Sequence, residues 1–403
     1  MMISTDHESS LAFSWTKGSR RETLAEMVGE WKKSSQPLGF LKPPDADDIK
    51  TIKSELNKKR KLGFNNYCIL GIGGSALPVK SLIHFFSGRA KRPEIWVLDT
   101  IDPATLTKHP ALTERLDQTL FHIVSKSGST LEVELLKQLT VKAVQGIDNK
   151  NWKERFLVTT TPGAGNPLER WAARNRISVL PLQEDIGGRF SSFSPVTYVA
   201  AGLMGLDLPS ISRGAAAAIE HCDWALSYAD LLGREVKAGK KILGFFFYDD
   251  RLQEFGELLL QLAAESLGKK GRGPAPLKFI GTRDQHSLLQ LYLDGPKDKA
   301  ATILSSDESV GQESPAAIDP DSLAAIERAF RASCEGTARS LAQRGIKVLR
   351  INIKRHDEAA YGELVQFFHL ATVAMGRLFG INPFDQPMVE LQKQYTRQLL
   401  QHH

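Results

Sequence analysis

Short runs of apolar residues recur along the first half of the chain, and amphipathic stretches separate them. Continuous apolar strands that alternate with helices are typical of a parallel sheet covered by helices on both faces. The pattern therefore predicts a doubly wound α/β domain, with a helix over Thr130–Val144 among others. Its strands are expected at Tyr67–Gly73, Glu94–Asp99, Leu120–Val124, Arg155–Thr159 and Ile177–Pro181.

The same pattern then restarts, which predicts a second α/β domain. A helix is expected from about Leu252 to Leu267, and the polar, proline-containing segment Ser305–Pro320 is expected to be a surface loop. The join lies in the helical stretch between Gly205 and Lys240, and because no low-complexity linker is visible we expect the domains to pack tightly. The strands are expected at Lys241–Tyr248, Leu277–Gly281, Ala301–Leu304 and Lys347–Asn352.

Composition excludes several classes of protein. The chain has 403 residues, of which 42% are apolar and 24% are charged, so it is neither disordered throughout nor fibrous. Its net charge of +6 suits an anionic ligand but is too diffuse to indicate nucleic acid. No apolar run approaches the roughly 18 residues of a membrane helix. Three widely spaced cysteines, Cys68, Cys222 and Cys334, fit a reducing compartment, and we expect a cytoplasmic protein.

A glycine-rich loop, Gly71–Ala76, follows the first strand and opens a helix. Glycines let the backbone approach an anion, helix N–H groups point at it, and Ser75 adds a hydroxyl donor. The loop also satisfies the G-x-G-x-x-A fingerprint of dinucleotide sites, and Asp99 stands where a ribose-binding carboxylate is expected. At this point a nucleotide-dependent dehydrogenase and a simple tight turn both remain open.

A second loop, Ser125–Thr130, follows the third strand and opens another helix. Four hydroxyls and the ammonium of Lys126 converge there, which suits a compact phosphate monoester. A dinucleotide site has no need of such a loop, and a capping turn needs only one hydroxyl. The loop therefore predicts a phosphate site.

Four further side chains are candidates for chemistry. Arg189 sits among small residues at a strand end and stays charged, so it could stabilise an oxyanion. Glu265 ends a predicted helix, and His286 follows a predicted strand. Lys393 lies on one face of the last predicted helix, which is expected to begin near Asn382–Pro387. Taken singly, each could equally be a structural ion pair, a structural histidine or a solvated surface residue.

Taken together, six ordered blocks resemble the glucose-6-phosphate isomerase family. Each block is weak alone, but the complete set in this order is highly specific and spans most of the chain. The second block carries Gly128 where many relatives have a bulky residue. The blocks are GIGGS at 71–75, SKSGST at 125–130, GGRFSSFSP at 187–195, QLAAESLGK at 261–269, GTRDQHS at 281–287 and NPFDQPMVELQK at 382–393.

The resemblance implies an α/β fold of two SIS-type (sugar isomerase) doubly wound parallel-sheet domains with a C-terminal helical arm. We place the N-terminal SIS domain at 1–209, the second at 210–376 and the arm at 377–403.

The resemblance also implies roles for individual residues in interconverting glucose 6-phosphate and fructose 6-phosphate. Glu265 resembles the base that moves a proton between C1 and C2 through a cis-enediol, and Arg189 resembles the residue that stabilises this intermediate. His286 and Lys393 resemble the groups that assist ring opening and closing. The positions implied to bind substrate are Gly74, Ser75, Ser125, Lys126, Ser127, Thr130, Gly188, Gln261 and Gln386.

The implied partners are a small-molecule sugar phosphate and a second copy of the chain, because in the family the histidine reaches the site from the partner subunit. Neither a metal nor another cofactor is implied, and neither nucleic acid nor membrane is an expected partner. The alternatives are a non-catalytic SIS-type sugar-phosphate-binding regulator, which has no need of Glu265, Arg189, His286 and Lys393 together, and a dehydrogenase, which does not explain Ser125–Thr130.

Overall fold

The structure is a computed structural model. It describes residues 9–15, 24–33, 36–87, 93–163, 165–307 and 319–401. Within these residues every helix is too short or too polar to cross a bilayer. The predicted surface loop at 305–320 falls mostly outside the described residues, which resume at Asp319.

Strands and helices alternate along most of the described chain. The strands are β1 (Leu11–Phe13), β2 (Asn66–Leu70), β3 (Glu94–Leu98), β4 (Thr119–Val124), β5 (Phe156–Thr160), β6 (Val179–Pro181), β7 (Ile242–Tyr248), β8 (Ala275–Ile280), β9 (Lys299–Ser306) and β10 (Val348–Ile353). The helices are α1 (Leu24–Lys33), α2 (Ala46–Arg60), α3 (Leu77–Phe85), α4 (Pro103–Leu106), α5 (Leu131–Ile147), α6 (Pro167–Asn175), α7 (Pro195–Leu203), α8 (Leu208–Glu220), α9 (Asp223–Lys237), α10 (Gln253–Leu267), α11 (Leu289–Asp294), α12 (Pro320–Gln343), α13 (Glu358–Leu378) and α14 (Val389–Gln401).

The first sheet has the strand order β3-β2-β4-β5-β6, and all of its pairs are parallel. Strands β2 and β4 are buried along their whole length, so their sequences are almost continuously apolar. Leu70 at the end of β2 pairs with Ile123 near the end of β4, so the loops after these strands leave the same edge side by side. Ligands bind at this edge in open α/β sheets. The predicted parallel-sheet domain is confirmed.

The second sheet has the order β1-β10-β9-β7-β8. Strands β7 to β10 are parallel to their neighbours, which confirms the second α/β unit, but β1 runs antiparallel to β10. The structure thus differs from the predicted division at one point, because β1 lies within 1–209 yet belongs to the second sheet. Apolar packing holds β1 in this position, because Phe13 stacks on Trp224 of α9 with ring centroids 4.6 Å apart. The boundaries at 209/210 and 376/377 remain a prediction.

One apolar cluster continues from the first sheet to the second. It includes Leu82 and Phe85 of α3 and also Leu258 and Leu262 of α10, all almost completely buried. Helix α3 follows the glycine-rich loop of the first sheet, and Glu265 lies in the last turn of α10. The packing of these two helices therefore brings residues from both halves of the chain to one place.

The C-terminal helix α14 stands away from this core, since none of its residues is buried. It begins at Val389, later than the predicted Asn382–Pro387. The residues before it form an irregular segment, in which the side chain of Asn382 accepts a hydrogen bond from the Phe384 backbone N–H at 3.0 Å. Such local side-chain bonds compete with helix formation, which explains the later start.

Candidate active site

Two loops from the first sheet pack backbone against backbone. A Cβ atom added to Gly74 would lie 2.1 Å from the carbonyl oxygen of Gly188, so only glycine fits at position 74. The Ser191 hydroxyl donates to the Gly74 carbonyl oxygen at 2.7 Å and fixes the contact. The predicted Gly74–Ser75 and Gly188–Arg189 positions are therefore brought together.

The hydroxyl-rich loop lies at the start of α5, as its sequence predicts. Ser125 Oγ and Thr130 Oγ1 are 3.0 Å apart, and the Ser127 hydroxyl accepts from the Ser129 backbone N–H at 3.2 Å. Thr130 makes no capping bond with its own side chain, so its hydroxyl pairs with Ser125 and leaves the first N–H groups of the helix to other acceptors. This arrangement of short donors can bind a phosphate group.

Gly128 is explained by the neighbour of this loop. Its φ angle of +66° is in the left-handed region, and an added Cβ would lie 1.9 Å from Oδ1 of Asn166. Asn166 in turn caps α6 through the backbone N–H groups of Leu168 and Glu169. A bulky residue at position 128 would displace this cap, so the small residue belongs to the local packing of the chain.

The Lys126 ammonium binds backbone carbonyl oxygens of a neighbouring segment, whereas the sequence predicts that it faces the phosphate together with the hydroxyls. The ammonium donates to the carbonyl oxygens of Glu184 at 3.0 Å and Ile186 at 2.7 Å. Burial lowers the pKa of Lys126, and the nearby carboxylates of Glu184 and Asp185 oppose this effect. The side chain thus joins the hydroxyl-rich loop to the segment that leads to Arg189, and only the backbone of Lys126 lies in the loop itself.

Arg189 is the centre of the site and is only 3% exposed. Its Nε donates to Ser266 Oγ at 2.7 Å, and its Nη1 donates to Glu265 Oε2 at 3.1 Å. Nη1 also donates to the side-chain oxygen of Gln386, and Nη2 donates to the carbonyl oxygens of Pro383 and Asp385. Burial lowers the pKa of Arg189, but the adjacent Glu265 carboxylate opposes the shift, and an arginine stays charged in proteins.

Glu265 is held from two sides at the last turn of α10. Arg189 binds Oε2, and Nε2 of Gln261, one turn earlier, donates to Oε1 at 3.0 Å. The Glu265 side chain is 30% exposed, so a ligand can reach the carboxylate. Nε2 of Gln261 also lies 2.9 Å from the position of a Cβ on Gly73, which places the glycine-rich loop directly beside the carboxylate. This pair of a fixed carboxylate and a buried cation can transfer a proton and stabilise an oxyanion.

Two predicted residues lie outside this cluster. His286 is exposed in a short helical turn after β8, and Lys393 is exposed on α14, where its ammonium pairs with Glu390 at 2.6 Å. Among the described residues, neither side chain contacts Arg189 or Glu265. The structure thus brings together the glycine-rich loop, Gln261, Glu265, Arg189 and Gln386 but leaves His286 and Lys393 apart.

Sequence reasoning missed Ser266 and Lys269 as members of the site. Lys269 donates to Asp385 Oδ1 at 2.8 Å and also to the carbonyl oxygens of Asn382 and Asp385. Both residues lie in the block QLAAESLGK at 261–269, and their closeness to Glu265 in the sequence could have indicated that they belong to the site. Asp99, the candidate ribose ligand of the dehydrogenase alternative, pairs with Lys80 of α3 at 2.5 Å. This ion pair already engages the carboxylate.

The chain is similar to proteins of one enzyme family. A family model described as phosphoglucose isomerase matches residues 62–297. A probable glucose-6-phosphate isomerase of Halobacterium salinarum is 35% identical over 316 residues, which cover 75% of this chain and 72% of that protein. The glucose-6-phosphate isomerase of Rubrobacter xylanophilus is 32% identical over 384 residues, which cover 89% and 88%. A solved structure of a hypothetical protein from Thermus thermophilus has a TM-score of 0.84 at 27% identity and covers 93% of each chain.

Proposed function

The chain belongs to the phosphoglucose isomerase family, and from this premise we propose that it interconverts glucose 6-phosphate and fructose 6-phosphate. The observation that carries the proposal is the contact between the Glu265 carboxylate and the buried Arg189 guanidinium, 3.1 Å apart beside the glycine-rich loop. A binding protein that only senses a sugar phosphate has no need of this pair.

In the proposed reaction Glu265 acts as the base that carries a proton between C1 and C2 of the open-chain sugar. The cis-enediol intermediate carries developing negative charge on oxygen, which the fixed guanidinium of Arg189 stabilises. General-base assistance of this kind is worth about 10²- to 10⁴-fold in rate. Gln261 and Arg189 together orient the carboxylate, so both carbons stay within reach of one base.

The phosphate end of the substrate is proposed to bind between the two loops at the sheet edge. Ser75, Ser125, Ser127 and Thr130 supply hydroxyl donors there, and the start of α5 supplies backbone N–H groups. The Lys126 ammonium contributes by holding the loop, because its donors already bind the carbonyl oxygens of Glu184 and Ile186.

We further propose a homodimer with shared active sites. His286 and Lys393 are the groups proposed to open and close the sugar ring, yet both lie outside the cluster formed by one chain. An exposed histidine that a partner subunit inserts into the site would reconcile its position with that role. Lys393 lies on the arm α14, whose lack of buried residues fits contact with a second copy.

The proposed place of action is the cytoplasm, where phosphorylated sugars are metabolised. The described structure contains its three cysteines as free thiols, which is compatible with a reducing compartment.

The direct test is a coupled assay of the purified chain with fructose 6-phosphate in buffer that contains EDTA, because the proposed chemistry uses only side chains. We expect turnover, and we expect fructose 6-phosphate but not a nicotinamide nucleotide to raise Tm through ligand linkage. A rise in Tm without turnover would replace the enzyme with the sugar-phosphate-binding regulator. A rise in Tm with the nucleotide alone would support the dehydrogenase.

A further inference from the structure

The ammonium of Lys269 binds a single segment of the chain, the irregular residues Asn382–Gln386 before α14. It donates to the Asn382 carbonyl oxygen, the Asp385 carbonyl oxygen and the Asp385 carboxylate. The Lys269 side chain is only 12% exposed, so these three acceptors replace most of its water. Lys269 lies four residues after Glu265, directly beyond the end of α10.

The same segment also binds Arg189. The guanidinium donates to the carbonyl oxygens of Pro383 and Asp385 and to the side chain of Gln386. The Asp385 carbonyl oxygen therefore accepts from both cations. Because one oxygen serves both, the position of Lys269 and the orientation of Arg189 are mechanically linked.

Aromatic packing supports the segment from its other side. The Phe384 ring lies 5.6 Å from the ring of Phe190, the residue after Arg189, and 6.1 Å from that of Phe40. This apolar contact fixes the middle of the segment but gives no direction to its carbonyl groups. The hydrogen bonds of Lys269 supply that direction.

We propose that Lys269 is a positioning residue for the isomerisation: its ammonium aligns the oxygens of Asn382–Gln386, which in turn hold the Arg189 guanidinium against Glu265. This inference rests on the proposed function. The proposed role separates the part of the site around Arg189 and Glu265 from the phosphate loops, because the phosphate loops on the first sheet make none of the hydrogen bonds that join Lys269 and Arg189 to the segment Asn382–Gln386. Loss of Lys269 is therefore expected to affect the chemical step more than substrate binding.

The test compares Lys269→Met with Lys270→Met in the full chain. Lys270 is exposed and adjacent, so its replacement removes the same charge without removing these bonds. In Lys269→Met we expect kcat to fall about tenfold or more while KM changes by less than about threefold, because small misplacements of catalytic groups slow reactions strongly. Lys270→Met should behave like the wild type. Lys269→Arg, which keeps a cation that can donate to the same oxygens, should recover part of kcat.

A second readout follows the segment itself. Backbone amides of residues 382–388 should exchange hydrogen faster in Lys269→Met than in the wild type, whereas exchange in β2 and β4 should be unchanged. Should Lys269→Met fail to fold, Lys269→Gln is judged by the same criteria.

Four results would overturn the inference: wild-type kcat in the folded variant, an equal loss in Lys270→Met, a rise in KM with kcat unchanged, or unchanged hydrogen exchange at 382–388. Lack of turnover in the wild type would instead reject the proposed function.

Discussion

The contact between Gly74 and Gly188 shows how single residues set the geometry of the site. The two loops meet without intervening side chains, and this close approach carries Arg189 to the end of α10. The sequence shows paired glycines in each loop, but the sequence alone could not predict that the two loops contact each other. Similarly, the serines at 125–130 predicted a phosphate loop, whereas the direction of the Lys126 side chain depends on carbonyl groups about sixty residues later.

We predict that Gly74→Ala destabilises the protein by about 1–3 kcal/mol, the usual cost of overpacking. The added methyl group would lie 2.1 Å from the Gly188 carbonyl oxygen, and backbone on both sides leaves little room for relaxation. Urea denaturation measures the change. Gly188→Ala is the matched control for stability, since its added Cβ meets nothing within 4 Å. Equal free energies of unfolding for the two variants would refute this explanation.

Among the secondary-structure elements, the long buried strands were the most predictable. Strands β2, β4 and β7 are almost continuously apolar, and burial on both faces produces that pattern. Strand β1 was missed because a three-residue edge strand carries no periodicity, and its partner β10 is more than 300 residues away. The irregular course of Asn382–Gln386 and the later start of α14 could not be predicted, because the hydrogen bonds of this segment to Arg189 and Lys269 are invisible in the local sequence.

A buried polar cluster joins elements from both halves of the chain. Asp249, which follows β7 and precedes α10, binds Arg251 at 2.8 Å and lies 2.9 Å from Nε2 of His356. The His356 ring packs against Phe85 of α3 with centroids 4.4 Å apart. Burial alone would raise the pKa of Asp249, but His356 and Arg251 outweigh that effect and lower it to about 2.

We therefore predict that Asp249→Asn costs about 2.5 kcal/mol of stability at pH 7, because the pKa of Asp249 falls from 3.8 to about 2 and each pKa unit corresponds to about 1.4 kcal/mol. Because the folded pKa lies below the unfolded one, the stabilisation is fully present above about pH 4 and is lost as the pH falls through about 2. Denaturation curves at pH 7 and near pH 2 measure the difference between wild type and variant. The same difference at both pH values would contradict an electrostatic origin.

Considered as a whole, a single chain brings Glu265, Arg189 and the glycine-rich loop together at the sheet edge that the hydroxyl-rich loop also leaves, whereas His286 and Lys393 lie apart from them. The resemblance implies that a partner subunit supplies the histidine, and this contribution remains a proposal. The residues named for the cluster could be found from ordered motifs, whereas their mutual distances depend on the packing of α3 against α10.

For the assembled molecule we predict complementation between two impaired variants, Glu265→Gln and His286→Gln. In a mixed dimer with shared sites, one site would hold Glu265 from one chain and His286 from the other, both unaltered. Random mixing makes about half of the dimers mixed, so about a quarter of wild-type activity should return. Co-expression followed by the coupled assay measures it. Activity no greater than that of the separate variants would show that His286 does not act across subunits.

The proposed base of the isomerisation is the Glu265 carboxylate, and Glu265→Gln tests this role. The measurement is kcat for fructose 6-phosphate together with binding of the same compound by calorimetry. The glutamine keeps the shape and can still accept from Arg189, so we expect kcat to fall by about 10²-fold or more while Kd changes little. Near-normal turnover, or loss of binding equal to the loss of rate, would contradict the role of Glu265 as the base.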